Sequence, residues 1–172
     1  MKSPRVGAII FNKDKGEILL MKRHNLGIMK IFPDASPDYY VIPGGGMEDG
    51  ETIEQTALRE IKEETNLEIK LDEILFEYDR DEEIIDYSGS EPKIVIDKRK
   101  EYYFLVTEHE GIPEVGEPER SYMTADNSFE LIWVKVAELN ELNLKPEVYK
   151  SLLIDKLKDI LVKLKSYAKY FG

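Results

Sequence analysis

The chain of 172 residues contains no cysteine. That absence removes disulfides, thiolate zinc sites and a cysteine nucleophile together. Histidine is nearly absent as well: His24 and His109 stand far apart, outside any metal-ligand spacing, and read as surface or loop residues. No apolar run is long enough to cross a bilayer, and no charged-then-apolar signal opens the chain, so the expectation is a cytoplasmic protein with no membrane partner. Positive charge is in deficit, with 24 Lys and Arg against 35 Asp and Glu and a net charge of −11. Proteins that grip a polynucleotide backbone usually present a basic face, because counterion release drives that binding. Long nucleic acid is therefore not expected as the main partner. A small anionic substrate arriving with a divalent cation is compatible with an acidic pocket.

The length suits one domain, residues 1–172, with a core over about 5–140. Arg5 to Phe11 reads as a strand, Asn12 to Gly16 as a turn, and Glu17 to Lys22 as the returning arm of a hairpin. Residues 24–38 read as a loop with a small apolar flap at Ile28–Phe32. Tyr39 to Ile42 reads as a strand, and Leu67 to Leu71 and Ile74 to Tyr78 as extended segments. The acidic stretch Asp79–Pro92 reads as a loop or insertion, followed by a short strand at Lys93–Ile96. Tyr102 to Thr107 and Phe129 to Val134 are strands rich in aromatic and β-branched residues, separated by a polar loop from Glu108 to Asn127. From Pro146 on, Val148, Leu152, Leu153, Leu157, Ile160, Leu161, Leu164, Ala168 and Phe171 recur at helical steps over about 146–170. That amphipathic helix is expected to dock on the sheet, and its length leaves room for a homodimer contact.

The chemistry is concentrated in residues 45–67, GGMEDGETIEQTALREIKEETNL. Thr52 is placed to cap a helix over Ile53–Thr65, which stacks Glu60, Glu63 and Glu64 at i, i+3 and i+4. Like charges at that spacing repel, and a solvated face is the ordinary reading of clustered Glu. Here the cluster follows a strand, then Pro43 and the run Gly44-Gly45-Gly46, whose bare backbone can approach a ligand closely. Three carboxylates beside such a loop suit a hard cation such as Mg²⁺ or Mn²⁺ shared with substrate phosphates. Glu60 and Glu64 are the first candidates for its ligands and Glu63 the third. Arg59 is expected to pair with Glu51 or a neighbouring carboxylate. Arg23, at the end of the second strand, is a candidate for substrate phosphates, with Gly45 and Gly46. Tyr39, Tyr40, Tyr87 and Phe32 are candidates to stack a base, although aromatics beside strands are more often core.

The spacing Gly45, five residues, Glu51, seven residues, then Arg59-Glu60-Ile61-Lys62-Glu63-Glu64 resembles the Nudix box of the Nudix hydrolase superfamily, with Asn66 where the final Gly belongs. Asn tolerates the left-handed backbone that a helix end requires, so the departure is not expected to disturb the site. The resemblance implies a Nudix-type α/β/α sandwich with a mixed sheet, plus the long C-terminal helix. It implies metal-dependent hydrolysis of a phosphoanhydride in a nucleoside diphosphate linked to X. A nucleoside triphosphate, oxidised or not, is expected ahead of ADP-ribose, nucleotide sugars and dinucleoside polyphosphates. It adds the Gly44 carbonyl to the candidate metal ligands. In the family the general base comes either from the box helix or from a later loop; Glu63 is the box candidate, and Glu119 is preferred over Glu110 and Glu117 in a loop similar to that of MutT-like members. A non-catalytic Nudix module that senses a ligand is the alternative of another class, disfavoured because every box carboxylate is kept.

Overall fold

The computed structural model describes residues 2–86 and 88–171, with side chains through Val162. Its strands are β1 (Arg5–Asn12), β2 (Glu17–Asn25), β3 (Asp38–Val41), β4 (Gly44–Gly46), β5 (Glu68–Lys70), β6 (Ile74–Asp86), β7 (Lys93–Val106), β8 (Glu108–Glu110) and β9 (Asn127–Lys135). Its helices are α1 (Ile28–Ile31), α2 (Ile53–Thr65), α3 (Glu119–Tyr122) and α4 (Val148–Phe171), with a 3₁₀ segment at Val136–Glu141.

The main sheet runs β3-β2-β1-β7-β6, with β4 also on β1 and β9 also on β2. Only β1 and β7 pair in parallel, so the sheet is mixed. Alternation along β1 decides the layers. Ala8 and Ile10 pack with Leu19, Val106 and Ile61 of α2 on one face, whereas Ile9 and Phe11 pack with Leu20, Tyr103, Leu153 and Leu157 on the α4 face. The result is helix, sheet, helix, as the sequence implies.

β2 is the hinge of the architecture. Its first half meets β1 at Phe11↔Ile18, while its second half leaves β1 and pairs β3 at Met21↔Val41 through His24↔Asp38. The space vacated beside β1 is taken by the glycine run, with Arg5↔Gly46 and Gly7↔Gly44 as partners. The expected glycine loop is thus a short strand. Glycine is required there: a Cβ on Gly44 would collide with the backbone of Val6 and Gly7.

The acidic stretch 79–92 is a further correction. Residues 79–86 are strand and only 88–92 form a turn: β6 and β7 make one long hairpin, paired from Glu77↔Tyr102 out to Asp86↔Lys93. Lys100 lies 3.3 Å from Glu77 and Lys98 3.8 Å from Asp81, so bases on one strand neutralise acids on the other. The bases that match these acids lie in β7, further along the chain. The hairpin root is held by a buried network. Arg80 donates to both Glu101 oxygens, at 3.0 and 3.3 Å, and to the Tyr149 hydroxyl at 3.1 Å, tying the root to the first turn of α4. The polar loop after β7 also carries structure. β8 pairs β5, and α3 forms one turn at Glu119. No described helix is long and apolar enough to cross a membrane. The helical pattern at Leu164, Ala168 and Phe171 lies beyond the described side chains, and Tyr87 lies outside the described residues.

Candidate active site

Helix α2 starts where its sequence dictates. The Gln55 amide donates to Thr52 Oγ1 at 3.1 Å and the Thr52 amide to Gln55 Oε1 at 2.9 Å, a reciprocal cap. It ends at Asn66 with φ 59° and ψ 15°, the left-handed conformation that the exchange of Gly for Asn anticipates. Between these ends Ala57 and Ile61 are buried against the sheet, and the same orientation carries Glu60 and Glu64 inward to β1 and β4.

Glu64 is buried, and its Oε2 accepts the Gly44 N–H at 2.8 Å. Burial pushes its carboxyl up to about 8; Glu60 and Glu119 push the same way, while Arg5 and the Gly44 N–H oppose them. Burial also raises Glu60, against the pull of Arg59. Gly45 lies flat on the Glu60 carboxylate, where a Cβ would overlap the carboxyl atoms. This cradle explains Gly45 better than direct substrate contact does.

Arg59 is the hub. Its Nε donates to Glu51 Oε1 at 2.6 Å and its Nη2 to Glu51 Oε2 at 3.0 Å, a bidentate pair. Its Nη1 reaches Glu60 at 2.8 Å and Glu63 at 3.4 Å, and Nη2 also donates to the Gly46 carbonyl at 3.0 Å. Glu51 accepts further bonds from the Glu48 N–H and the Thr56 hydroxyl. The Arg59 guanidinium, helped by these bonds, holds the Glu51 carboxyl down at about 2. Arg59 itself is raised, chiefly by Glu51.

The loop before β9 comes to this cluster. The Glu114 N–H donates to the Thr65 carbonyl at 2.9 Å, and Gly116 packs on the Lys62 and Glu63 carbonyls so closely that a Cβ would not fit. Of the loop acids, Glu117 is engaged with the Ser121 hydroxyl and Glu110 lies in β8 opposite Glu68. Glu119 is the one whose charge is felt at Glu64.

Arg23 lies inside β2, two residues before its end, opposite Tyr39 on one side and Phe129 on the other. Its guanidinium sits 5.5 Å from the Phe129 ring centre and donates to Asn127 at 3.2 Å, and its Nε is buried without a partner. Arg23 and Phe129 help line a cavity of about 370 Å³. The sequence reading missed Phe129 and Asn127 as neighbours of Arg23, because only strand register puts them together. Tyr40 belongs to the α4-side core, which removes it as a base platform. Tyr39 shares the Arg23 face, and Phe32, at the end of α1, is exposed. His24 pairs with Asp38 at 2.8 Å and His109 lies against Trp133.

A mixed sheet between helices and a box helix whose carboxylates meet a glycine strand define a Nudix fold. The NUDIX domain family matches residues 1–153, and the chain belongs to that family. The chain is 37% identical over 106 residues to an ADP-ribose pyrophosphatase of Methanocaldococcus jannaschii, covering 55% of this chain and 57% of that one. It is 41% identical over 61 residues to an RNA pyrophosphohydrolase of the Wolbachia of Brugia malayi, covering 36% and 31%. The alignments span less than two thirds of these relatives. In fold it is similar to a MutT from work on Aliivibrio salmonicida and Vibrio cholerae, with a TM-score of 0.59 at 23% identity over 88% of this chain and 95% of that one. It is also similar to the E. coli ORF135 protein, with a TM-score of 0.57 at 21% identity over 94% and 91%. The ADP-ribose pyrophosphatase and the RNA pyrophosphohydrolase are both named for the hydrolysis of a pyrophosphate bond. Nudix hydrolases act on small nucleotides and generally depend on a divalent metal.

Proposed function

We propose that the chain cleaves a phosphoanhydride in a nucleoside diphosphate linked to X, with a nucleoside triphosphate, oxidised ones included, as the leading substrate. The observation that carries this reading is the pair Glu60 and Glu64, buried side by side against the glycine strand, with both carboxyls pushed up. Two acids kept that close and that dry are unfavourable unless a cation joins them.

The donor set fits Mg²⁺ or Mn²⁺: Glu60, Glu64 and Glu63 offer hard oxygens, and the Gly44 carbonyl is a further backbone candidate. Among the described residues no three such groups form a ready-made cage. Arg59 stands between Glu51, Glu60 and Glu63 instead. That suits an ion completed by the substrate's own phosphates. When bound, such an ion neutralises phosphate charge and acidifies the attacking water. Glu51 and Arg59 fix the cluster, Gly45 and Gly46 keep it accessible, Arg23 meets a phosphate, and Glu119 or Glu63 accepts the proton of the water. The cavity of about 370 Å³ at Arg23 and Phe129 supports the reading in which a single nucleoside is bound, as in a triphosphate.

A second reading, ADP-ribose, with a nucleotide sugar beside it, draws on the similarity to the ADP-ribose pyrophosphatase of Methanocaldococcus jannaschii, which supports ADP-ribose alone. The test is a substrate panel with Mg²⁺ or Mn²⁺, scored for nucleoside monophosphate, pyrophosphate and phosphate. Release of pyrophosphate from a nucleoside triphosphate supports the first reading. Hydrolysis restricted to ADP-ribose or a nucleotide sugar supports the second. Binding of a nucleotide without turnover would return the sensing module.

A further inference from the structure

The hairpin of β6 and β7 extends well past the end of β1, and something must account for its outer half. Pairing with β1 starts at Arg5↔Glu101, so residues 93–100 of β7 run beyond it. The segment before β1 accompanies them: the Lys2 N–H donates to the Lys98 carbonyl at 3.1 Å, and its amine lies 3.4 Å from Asp97. The root is rigid, because Arg80, Glu101, Tyr103 and Tyr149 are buried and hydrogen-bonded to one another. The far end crosses to the other half of the sheet. Gly89, Ser90 and Pro92 share a cavity of about 300 Å³ with Asn25, Gly27 and Asn127.

That cavity is the sequence neighbour of the one at Arg23. The first is lined by residues 22–24 and 128–130, the second by residues 25–27 and 126–127, consecutive stretches of the same chain segments. The two cavities thus follow one another along the end of β2 and the start of β9, and the hairpin tip borders the second. Of the hairpin's acids, Asp79, Glu83 and Glu91 have no ion-pair partner among the described residues, and Asp126 lines the cavity beside Lys30, a balance that disfavours a polyanion.

The geometry points to the hairpin as a fixed end wall that limits the substrate to a free nucleotide and rejects the 5′ end of a polynucleotide. This rests on the diphosphatase reading above and narrows its X and nucleoside: a ribose whose 3′ oxygen continues into a chain meets the tip and its acids.

The experiment compares ATP and GTP with a 5′-triphosphorylated oligoribonucleotide of matching first base. It uses the full chain and a variant in which residues 82–97 are replaced by Asn-Gly, joining Asp81 to Lys98, which are register partners. The full chain is expected to prefer the mononucleotide, and shortening should raise the oligonucleotide-to-mononucleotide ratio of kcat/KM by about tenfold or more. A full-length Ser90→Trp variant, altered only at an exposed turn, should raise KM for the mononucleotide several-fold with kcat unchanged. An oligonucleotide turned over by the full chain within about threefold of the mononucleotide overturns the inference. So does a KM unmoved by Ser90→Trp, or a ratio unmoved by shortening. In those cases mononucleotide turnover persists and the diphosphatase reading stands; absence of any turnover in the full chain removes both.

Discussion

The Gly44 amide and the Glu64 carboxylate are joined by a 2.8 Å hydrogen bond that spans 20 residues of sequence. The bond ties the glycine strand to the last turn of α2, and it is the only hydrogen bond found at this buried carboxylate among the described residues. Replacing Glu64 by Gln keeps an acceptor for Gly44 while removing the charge. Turnover is expected to fall by about two orders of magnitude or more, with the unfolding transition nearly unchanged. Glu60→Gln should behave alike. Normal turnover in Glu64→Gln would remove the metal-site assignment.

Glu64 also sets a pH dependence. Its folded pKa of about 8 lies above the ordinary 4.5, so between those values the native state holds a proton that the unfolded chain has lost. Stability of the metal-free protein therefore declines as pH rises through that window. Glu51 acts oppositely: held at about 2, it stabilises the fold above 4.5 and ceases to as pH falls through its folded value. Thermal melts in chelator across this range should show the decline, Glu64→Gln should flatten it, and Mg²⁺ should raise Tm most at the alkaline end. A metal-free Tm that climbs steadily toward pH 8 would contradict the placement of Glu64.

Gly45→Ala tests the cradle. The added methyl meets the Glu60 carboxylate rather than backbone, so the side chain can turn away and the fold survives. The carboxylate then leaves the Arg59 Nη1 contact of 2.8 Å. Activity should drop at least about tenfold while Mn²⁺ binding, followed by calorimetry, weakens in parallel. Unchanged metal affinity would mean that Glu60 is not a ligand.

The box was legible because its cause is local. A cap at Thr52, an apolar face at Ala57 and Ile61, and acids at helical spacing all lie within one helix, and the Asn66 end followed from backbone preference. What the sequence hid depends on partners distant in the chain. The acids of β6 looked like loop until Lys98 and Lys100 were seen opposite them. Phe129 and Asn127 reach Arg23 only through the register of β9 on β2. Tyr40 and Tyr39 are neighbours in sequence but face opposite layers, a parity that depends on how β3 pairs.

The proton acceptor is decided between Glu63 and Glu119. Glu63 is on the box helix, but its carboxylate already lies 3.4 Å from the Arg59 guanidinium, which holds it as that arginine's partner. Glu119 opens α3, on a loop pinned to α2 through Glu114 and Gly116, and its charge acts on Glu64 without direct hydrogen bonding to the cluster. A half-buried carboxylate with no ion pair among the described residues, beside the proposed metal ligands, is the better-placed candidate base. Glu119→Gln should therefore lower kcat by about a hundredfold or more and leave Mn²⁺ affinity unchanged. Glu63→Gln should instead loosen Arg59 and weaken metal binding together with rate. A silent Glu119→Gln beside a Glu63→Gln that loses turnover at normal metal affinity would reverse the assignment, and two near-normal enzymes would exclude both residues.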